Sequence, residues 1–198
     1  MTDNLFKNKY RIPSTRLHSW DYSRNGNYFV TICVKNRECV LGQIEHGKVI
    51  LSAIGNIAEY CWLEIPRHFP FIKLDECIIM PNHVHGIIVI DHIDDENMVN
   101  SNRRDVACNV SLTNTAQFSR ISPKRGSLPS VIRSFKSAVT KFVNRKLSAQ
   151  FFTWQPRYYD RIIRNEKELW HVRNYIQQNP SRWTENEDNP ERKIEISE

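Results

Sequence analysis

Two histidines one residue apart, His83 and His85, lie within the stretch MPNHVHGIIVI at positions 80–90. Pro81-Asn82 reads as a turn and Gly86 to Ile90 as a β-branched strand. Alternate residues of a strand face one side, so both imidazoles share a face, ~7 Å apart along the backbone. Neutral imidazoles so placed supply half of a metal site; the competing interpretation is two inert, hydrogen-bonded residues at a strand mouth. Far downstream, Tyr175 and Asn179 are spaced i, i+4, which puts them on one helical face ~6 Å apart along the axis. A tyrosine hydroxyl of pKa ~10 is a weak nucleophile without help. A divalent cation provides help by polarising a phosphate oxygen and offsetting transition-state charge. Asn179 offers a hard carbonyl oxygen beside two imidazoles. The arrangement this predicts is His83, His85 and Asn179 on a cation with Tyr175 next to it. An ordinary tyrosine packed on a sheet is the alternative for Tyr175.

Elements able to carry these residues can be read in order. Residues 1–27 form an arm with turn signals at Ile12-Pro13 and Asn25-Gly26. Residues 28–34 (YFVTICV) are a strand by propensity. Cys39–Ile44 and Lys48–Leu51 flank His46-Gly47 as a small hairpin. Ser52 caps a helix running to about Ile65, with Pro66 stopping it and an apolar stripe of Ile54, Ile57, Ala58, Cys61 and Trp62. Phe71–Met80 is a second long strand leading through Pro81-Asn82 into the histidine strand. Residues 91–126 are polar and read as a long insertion loop. From Ser127 to about Leu147 an amphipathic helix turns Val131, Ile132, Phe135, Val139, Phe142 and Val143 inward and Arg133, Lys136, Lys141 and Arg145 elsewhere. A strand near Tyr158–Ile163 precedes a last helix, capped by Asn165 with Glu168 in a capping-box position, which runs to Asn179 before Pro180. Residues 184–198 form an acidic tail that reads as disordered.

The order β–α–β–β–α–β plus a final helix predicts an α+β fold, a ferredoxin-like antiparallel sheet with an additional C-terminal helix. Residues 1–183 make one domain, with no internal repeat. In that layout the first and third strands are central neighbours, so the histidines ride on a rigid strand.

Charge distribution narrows the class of partner. From Arg120 to Arg173 there are 13 Lys/Arg against 3 Asp/Glu, while Thr184–Glu198 carries 6 acids against 2 bases. A basic block interleaved with Phe, Trp and Tyr suits a nucleic-acid surface, because cations meet phosphates and aromatic faces meet bases. A merely solvated helix face is the plainer explanation. Trp154, Arg157, Arg161 and Arg164 are candidates to stack on bases and clamp phosphates, with Arg133, Lys136 and Lys141 as backbone contacts. Five cysteines without CxxC spacing do not support a zinc ribbon, and point to a reduced, cytoplasmic protein. The absence of an apolar run of about 18 residues excludes a transmembrane helix, so no membrane partner is expected.

Three stretches in fixed order, MPNHVHGIIVI, GSLPSVIRSFKSAVTKFVNRK and WQPRYYDRIIRNEKELWHVRNYIQQNPSRW, resemble the single-tyrosine HUH transposases, in particular the REP-associated tyrosine transposases. The resemblance starts near DYSRNGNYFVTICVKNRE and extends to Trp183. His83 and His85 fall on the HUH motif, whose middle residue here is Val84. Tyr175 falls on the nucleophile, and Asn179 on the position that holds a third metal ligand. The resemblance implies a metal-dependent nickase-ligase acting on single-stranded DNA, often beside a hairpin. Attack by Tyr175 would leave a 5′-phosphotyrosine and a free 3′-OH, with Mg²⁺ or Mn²⁺ as cofactor and the chain a monomer or homodimer. From another class, a non-catalytic ferredoxin-like regulator binding hairpin DNA or RNA would need the basic surface but neither histidine. Tyr158 and Tyr159 are rival nucleophiles by chemistry alone, and His171, four residues before Tyr175, is either a tuning group or a solvent-exposed histidine.

Overall fold

The computed structural model describes residues 17, 19–92, 123–146, 152–185 and 189–190. Most of the expected N-terminal arm, polar insertion and acidic tail lie outside the described residues. β1 (Gly26–Cys33) is apolar on both sides: Tyr28, Val30 and Ile32 point one way and Phe29 the other, and all are buried. It therefore sits inside a four-stranded sheet, between β5 (His83–Ile90) and β6 (Tyr159–Ile163), with β4 (Ile72–Ile79) outside β5. All three pairings are antiparallel. First and third strands of the ferredoxin-like core are neighbours, as the element order requires. A separate hairpin joins β2 (Gly42–Glu45) to β3 (Lys48–Leu51) through His46 and Gly47, both at positive φ, as a two-residue turn of this hand demands.

Two helices cover one side of the sheet. α1 (Ala53–Leu63) begins where the Ser52 hydroxyl accepts the Gly55 amide, and buries Ile54, Ala58, Cys61 and Trp62. The chain breaks at Glu64, and Pro66 lies in the first turn of the short α2 (Ile65–His68), so the proline begins a helix as well as following one. α3 (Leu128–Lys146) buries Leu128, Val131, Ile132, Phe135, Val139 and Val143. Phe142, expected in the core, is 38 % exposed and meets Tyr60 of α1 edge-on instead. It lies at the margin of the apolar stripe, one residue from Val143. Gly86 has a packing role on this side. A Cβ there would stand 2.3 Å from the Trp62 ring, so only glycine lets that indole lie against the histidine strand.

The last helix, α4 (Glu166–Gln178), covers the opposite side. Asn165 caps it by accepting the Glu168 amide at 2.9 Å, and Glu168 in turn accepts the Arg164 amide. Leu169, Val172 and Ile176 bury against Phe29, Ile87 and Ile163 to form a second, smaller core. Strand alternation thus separates two faces, one for α1 and α3 and one for α4. No helix of the described residues is long and apolar enough to cross a membrane.

Candidate functional site

Along β5, Val84, Gly86, Ile88 and Ile90 face α1 and α3, which leaves His83, His85, Ile87 and Val89 on the α4 side. Both histidines are buried, His83 fully and His85 to 2 % exposure. Their Nε2 atoms approach to 2.9 Å. Each outer nitrogen is held: His83 Nδ1 lies 2.7 Å from Asn82 Oδ1, and His85 Nδ1 lies 2.9 Å from Thr31 Oγ1. Asn82 is oriented because its Nδ2 donates to the Arg37 carbonyl at 3.0 Å, which turns Oδ1 toward the ring. An amide oxygen only accepts, so His83 carries its proton on Nδ1 and exposes a lone pair at Nε2. His85 Nε2 then donates to that lone pair, and the Thr31 hydroxyl donates to His85 Nδ1. Desolvation keeps both rings neutral. It lowers His83 well below the ordinary 6.5, with help from His85 and Arg37, and lowers His85 to about 3.

This pair fits a cation. Adjacent ligands of an octahedral ion at about 2.1 Å stand ~3.0 Å apart, close to the observed separation of the Nε2 atoms. Metal-bound histidines donate their other nitrogen to a fixed acceptor, which Asn82 already provides. For His85, turning the Thr31 hydroxyl proton away lets Oγ1 accept from Nδ1 and frees Nε2. Among the described residues no group of three or more His, Cys, Asp or Glu is placed to hold a metal ion. A further protein ligand drawn from the described residues would be of another type, such as an amide.

α4 brings the phenol. Tyr175 Oη lies 3.3 Å from His85 Nε2 within one chain, so no partner subunit is needed for this approach. Its ring stands edge-on to Phe29 at 6.0 Å and 88°, while 47 % of the residue stays exposed. The helix is anchored at a β-bulge between Leu74 and Cys77 of β4. Bulge residues Asp75 and Glu76 receive Arg173 in a two-pronged ion pair (2.9 and 2.5 Å) and Gln177 at 2.8 Å. The Arg173 guanidinium holds the Asp75 carboxyl below the usual carboxylate range. Asn179 ends the helix one turn past Tyr175 and is 3 % exposed. Four residues later Trp183 lies against His83, ring centres 6.1 Å apart. The segment 175–183 thus touches both histidines, with Asn179 midway along it.

The predicted DNA-contacting residues divide between the two faces. Arg161, on β6, pairs across the sheet with Phe29 and is exposed on the histidine side, near Glu168 at 3.4 Å. Arg164 is exposed at the head of α4. Arg133 and Lys141 lie on α3, across the sheet from the histidines, where they line a groove with Ser130, Ser134 and Ser137. Arg157 is exposed, and its carbonyl accepts from Lys136. Two side chains have structural duties instead of the expected surface ones. Trp154 is 8 % exposed, packed between Phe135 and Phe152 and bridged to Val34, so its ring is not open to a base. The Lys136 ammonium donates to the carbonyls of Gln155 and Arg157, tying α3 to the segment before β6. His171 packs on Trp170 at 5.0 Å. Thr31, Asn82, Phe29 and Trp183 received no role in the site from the sequence. Only Asn82, abutting His83, offered a local clue.

No protein-family model matches the chain. It is 38 % identical over 178 residues to a Haemophilus influenzae protein described as "Uncharacterized protein", covering 88 % of this chain and 91 % of that one. A second Haemophilus influenzae protein, named "Putative REP-associated tyrosine transposase", is 26 % identical over 160 residues, 81 % of this chain and 73 % of that one. Among solved structures, a REP-associated tyrosine transposase bound to a REP hairpin superposes with a TM-score of 0.52 at 19 % identity, over 85 % of this chain and 74 % of that one. That likeness is one of fold.

Proposed function

The chain belongs to the same family as these Haemophilus influenzae proteins, that of the REP-associated tyrosine transposases, and on that premise we propose that it cleaves and rejoins single-stranded DNA near hairpins. Tyr175 is the nucleophile. Its oxygen forms a bond to a DNA phosphorus while the bond to the 3′ oxygen breaks, giving a 5′-phosphotyrosine and a 3′-OH. The proton lost by the phenol balances the one gained by the leaving oxygen. The reverse reaction with another 3′-OH rejoins DNA, and because the covalent link preserves the phosphodiester energy no nucleotide cofactor is required.

One observation carries this proposal: the Tyr175 phenol lies 3.3 Å from an imidazole whose Nε2 meets a second imidazole at 2.9 Å. Both rings are neutral, as ligands must be. His83 and His85, with Asn179 as third ligand, would hold Mg²⁺ or Mn²⁺. Such an ion, when bound, polarises the phosphate and offsets its developing charge. The protein's own contribution is positional. The bulge-anchored helix sets the phenol over the pair, Phe29 supports its ring, and burial keeps both imidazoles deprotonated. Arg161 and Arg164, on the same side, meet flanking phosphates. A hairpin partner is supported by the fold likeness to the hairpin-bound transposase.

The test is incubation with hairpin DNA bearing single-stranded flanks and Mg²⁺ or Mn²⁺, followed by a denaturing gel. A slow-migrating protein–DNA species that disappears in Tyr175→Phe is expected. Tight hairpin binding with no such species, across both metals and many flanks, would replace this proposal with a non-catalytic binding role.

A further inference from the structure

One row of side chains crosses the sheet on the α4 side: Tyr159 of β6 faces Thr31 of β1, and Thr31 faces His85 of β5. Two strand spacings separate Tyr159 from His85, so their Cα atoms stand ~10 Å apart. Thr31 bonds the His85 ring. Tyr159 is 48 % exposed, and among the described residues its strand pairs with β1 alone. Phe29, buried, meets the Tyr159 ring at 6.5 Å and 70°, and meets Tyr175 at 6.0 Å and 88°. One buried phenylalanine thus supports two half-exposed phenols, of which only Tyr175 reaches the histidine pair. The next residue on this face of β6 is Arg161, directly across from Phe29 and exposed.

We infer that Tyr159 is a nucleobase platform, on which an unpaired base beside the phosphate held at Tyr175 stacks, with Arg161 meeting the adjoining phosphate. This rests on the single-stranded DNA function proposed above and adds to it where the strand runs: across β1 toward the β6 edge. The chemistry follows from the ring. An aromatic face stacks on any unpaired base, so the contact tolerates sequence while fixing the strand's path. Tyr159 keeps 48 % of its surface exposed while Phe29 meets its ring edge-on, which leaves aromatic surface on which a base can lie.

The probe is a stem-loop DNA with an oligothymidine extension, bound at equilibrium in Mg²⁺ by the full chain carrying Tyr175→Phe, so that no adduct accumulates. Adding Tyr159→Leu should weaken binding roughly ten- to hundredfold, the range for loss of one stacked base. Tyr159→Phe should bind as the parent does, and the stem-loop without extension should bind both variants equally. With abasic residues replacing the thymidines, the parent should fall to the level of Tyr159→Leu, and Tyr159→Leu should lose nothing more. The inference is overturned if Tyr159→Leu binds the extension as tightly as the parent, or loses as much on the abasic probe. If the unmutated chain forms a covalent adduct but Tyr159→Leu has no binding defect, the platform fails and the DNA-cleaving function stands. If the parent binds no probe and the unmutated chain forms no adduct, both fail.

Discussion

Thr31→Val isolates the hydroxyl that governs His85. Threonine and valine share volume and β-branching, so the change removes one oxygen from a strand interior without opening a cavity. Thr31 is 9 % exposed, and water cannot easily replace the lost group. Without a cation, His85 Nδ1 accepts from Thr31 at 2.9 Å; in the valine variant this buried acceptor is orphaned, at a cost of about 1–3 kcal/mol. With a cation, His85 must shift its proton to Nδ1 so that Nε2 can ligate, and that N–H then needs an acceptor. A hydroxyl serves in both states because it donates or accepts by rotating. Loss of such an outer partner lowers metal affinity about 10- to 100-fold, equivalent to about 1.4–2.8 kcal/mol. Calorimetric titration with Mn²⁺ and urea unfolding in chelator measure the two terms separately. Thr31→Ser, which keeps the hydroxyl, should recover most of the affinity. Manganese binding by Thr31→Val equal to wild type would refute the tautomer argument, whatever happened to stability.

Other consequences are independent of that hydroxyl. Because His85 stays neutral to about 3 and His83 is also well below 6.5, protons compete weakly for the pair. Mn²⁺ affinity should stay nearly flat between about pH 7.5 and 5.5, where ordinary histidines would begin to lose affinity. In the same range these two histidines take up protons near 6.5 in the unfolded chain but not in the folded one, so their contribution to stability falls as pH drops. At about pH 5 the His85 contribution is about 2 kcal/mol, and His85→Gln should flatten the slope of urea-melt stability against pH. Gly86→Ala drives a methyl into the Trp62 ring and should cost about 1–3 kcal/mol in a denaturant melt; an unchanged melt would mean α1 shifts freely against β5. Log affinity for DNA should fall linearly with log salt. Losing the phosphate contacts expected of Arg133 and Lys141 should reduce that slope by about 0.7–0.9 each, and an unaltered slope in the double alanine variant would remove the α3 face from the binding surface.

The parts of the site legible in the sequence are those fixed by local periodicity. His83 and His85 share a face because strands repeat every two residues, and the expected pairing of Tyr175 with Asn179 rests on a helix returning after four. The order of elements sufficed for the sheet, since apolar β1 and β5 could only be central. What escaped depends on register across strands. Thr31 lies in the run YFVTICV and reads there as another β-branched strand residue; its partner appears only when β1 is set against β5. The bulge at Asp75-Glu76 is equally silent, because two acids in a strand look like two exposed acids until Arg173 and Gln177 arrive from α4. Trp154 and Lys136 show the opposite failing. Interleaved aromatic and basic residues look the same whether a ring enters the core or faces a base. A long lysine stem lets its ammonium reach main-chain carbonyls as readily as a phosphate.

The most direct trial of the central claim is to identify the DNA-linked residue. Protein reacted with hairpin DNA and Mn²⁺ is digested with protease and nuclease, and the peptide retaining a nucleotide is sequenced by mass spectrometry. The account predicts a 5′-phosphate on Tyr175, in the peptide that carries Asn174, and loss of the linkage when His83 or His85 is replaced. A nucleotide on Tyr158 or Tyr159, or a linkage that survives removal of both histidines, would contradict it.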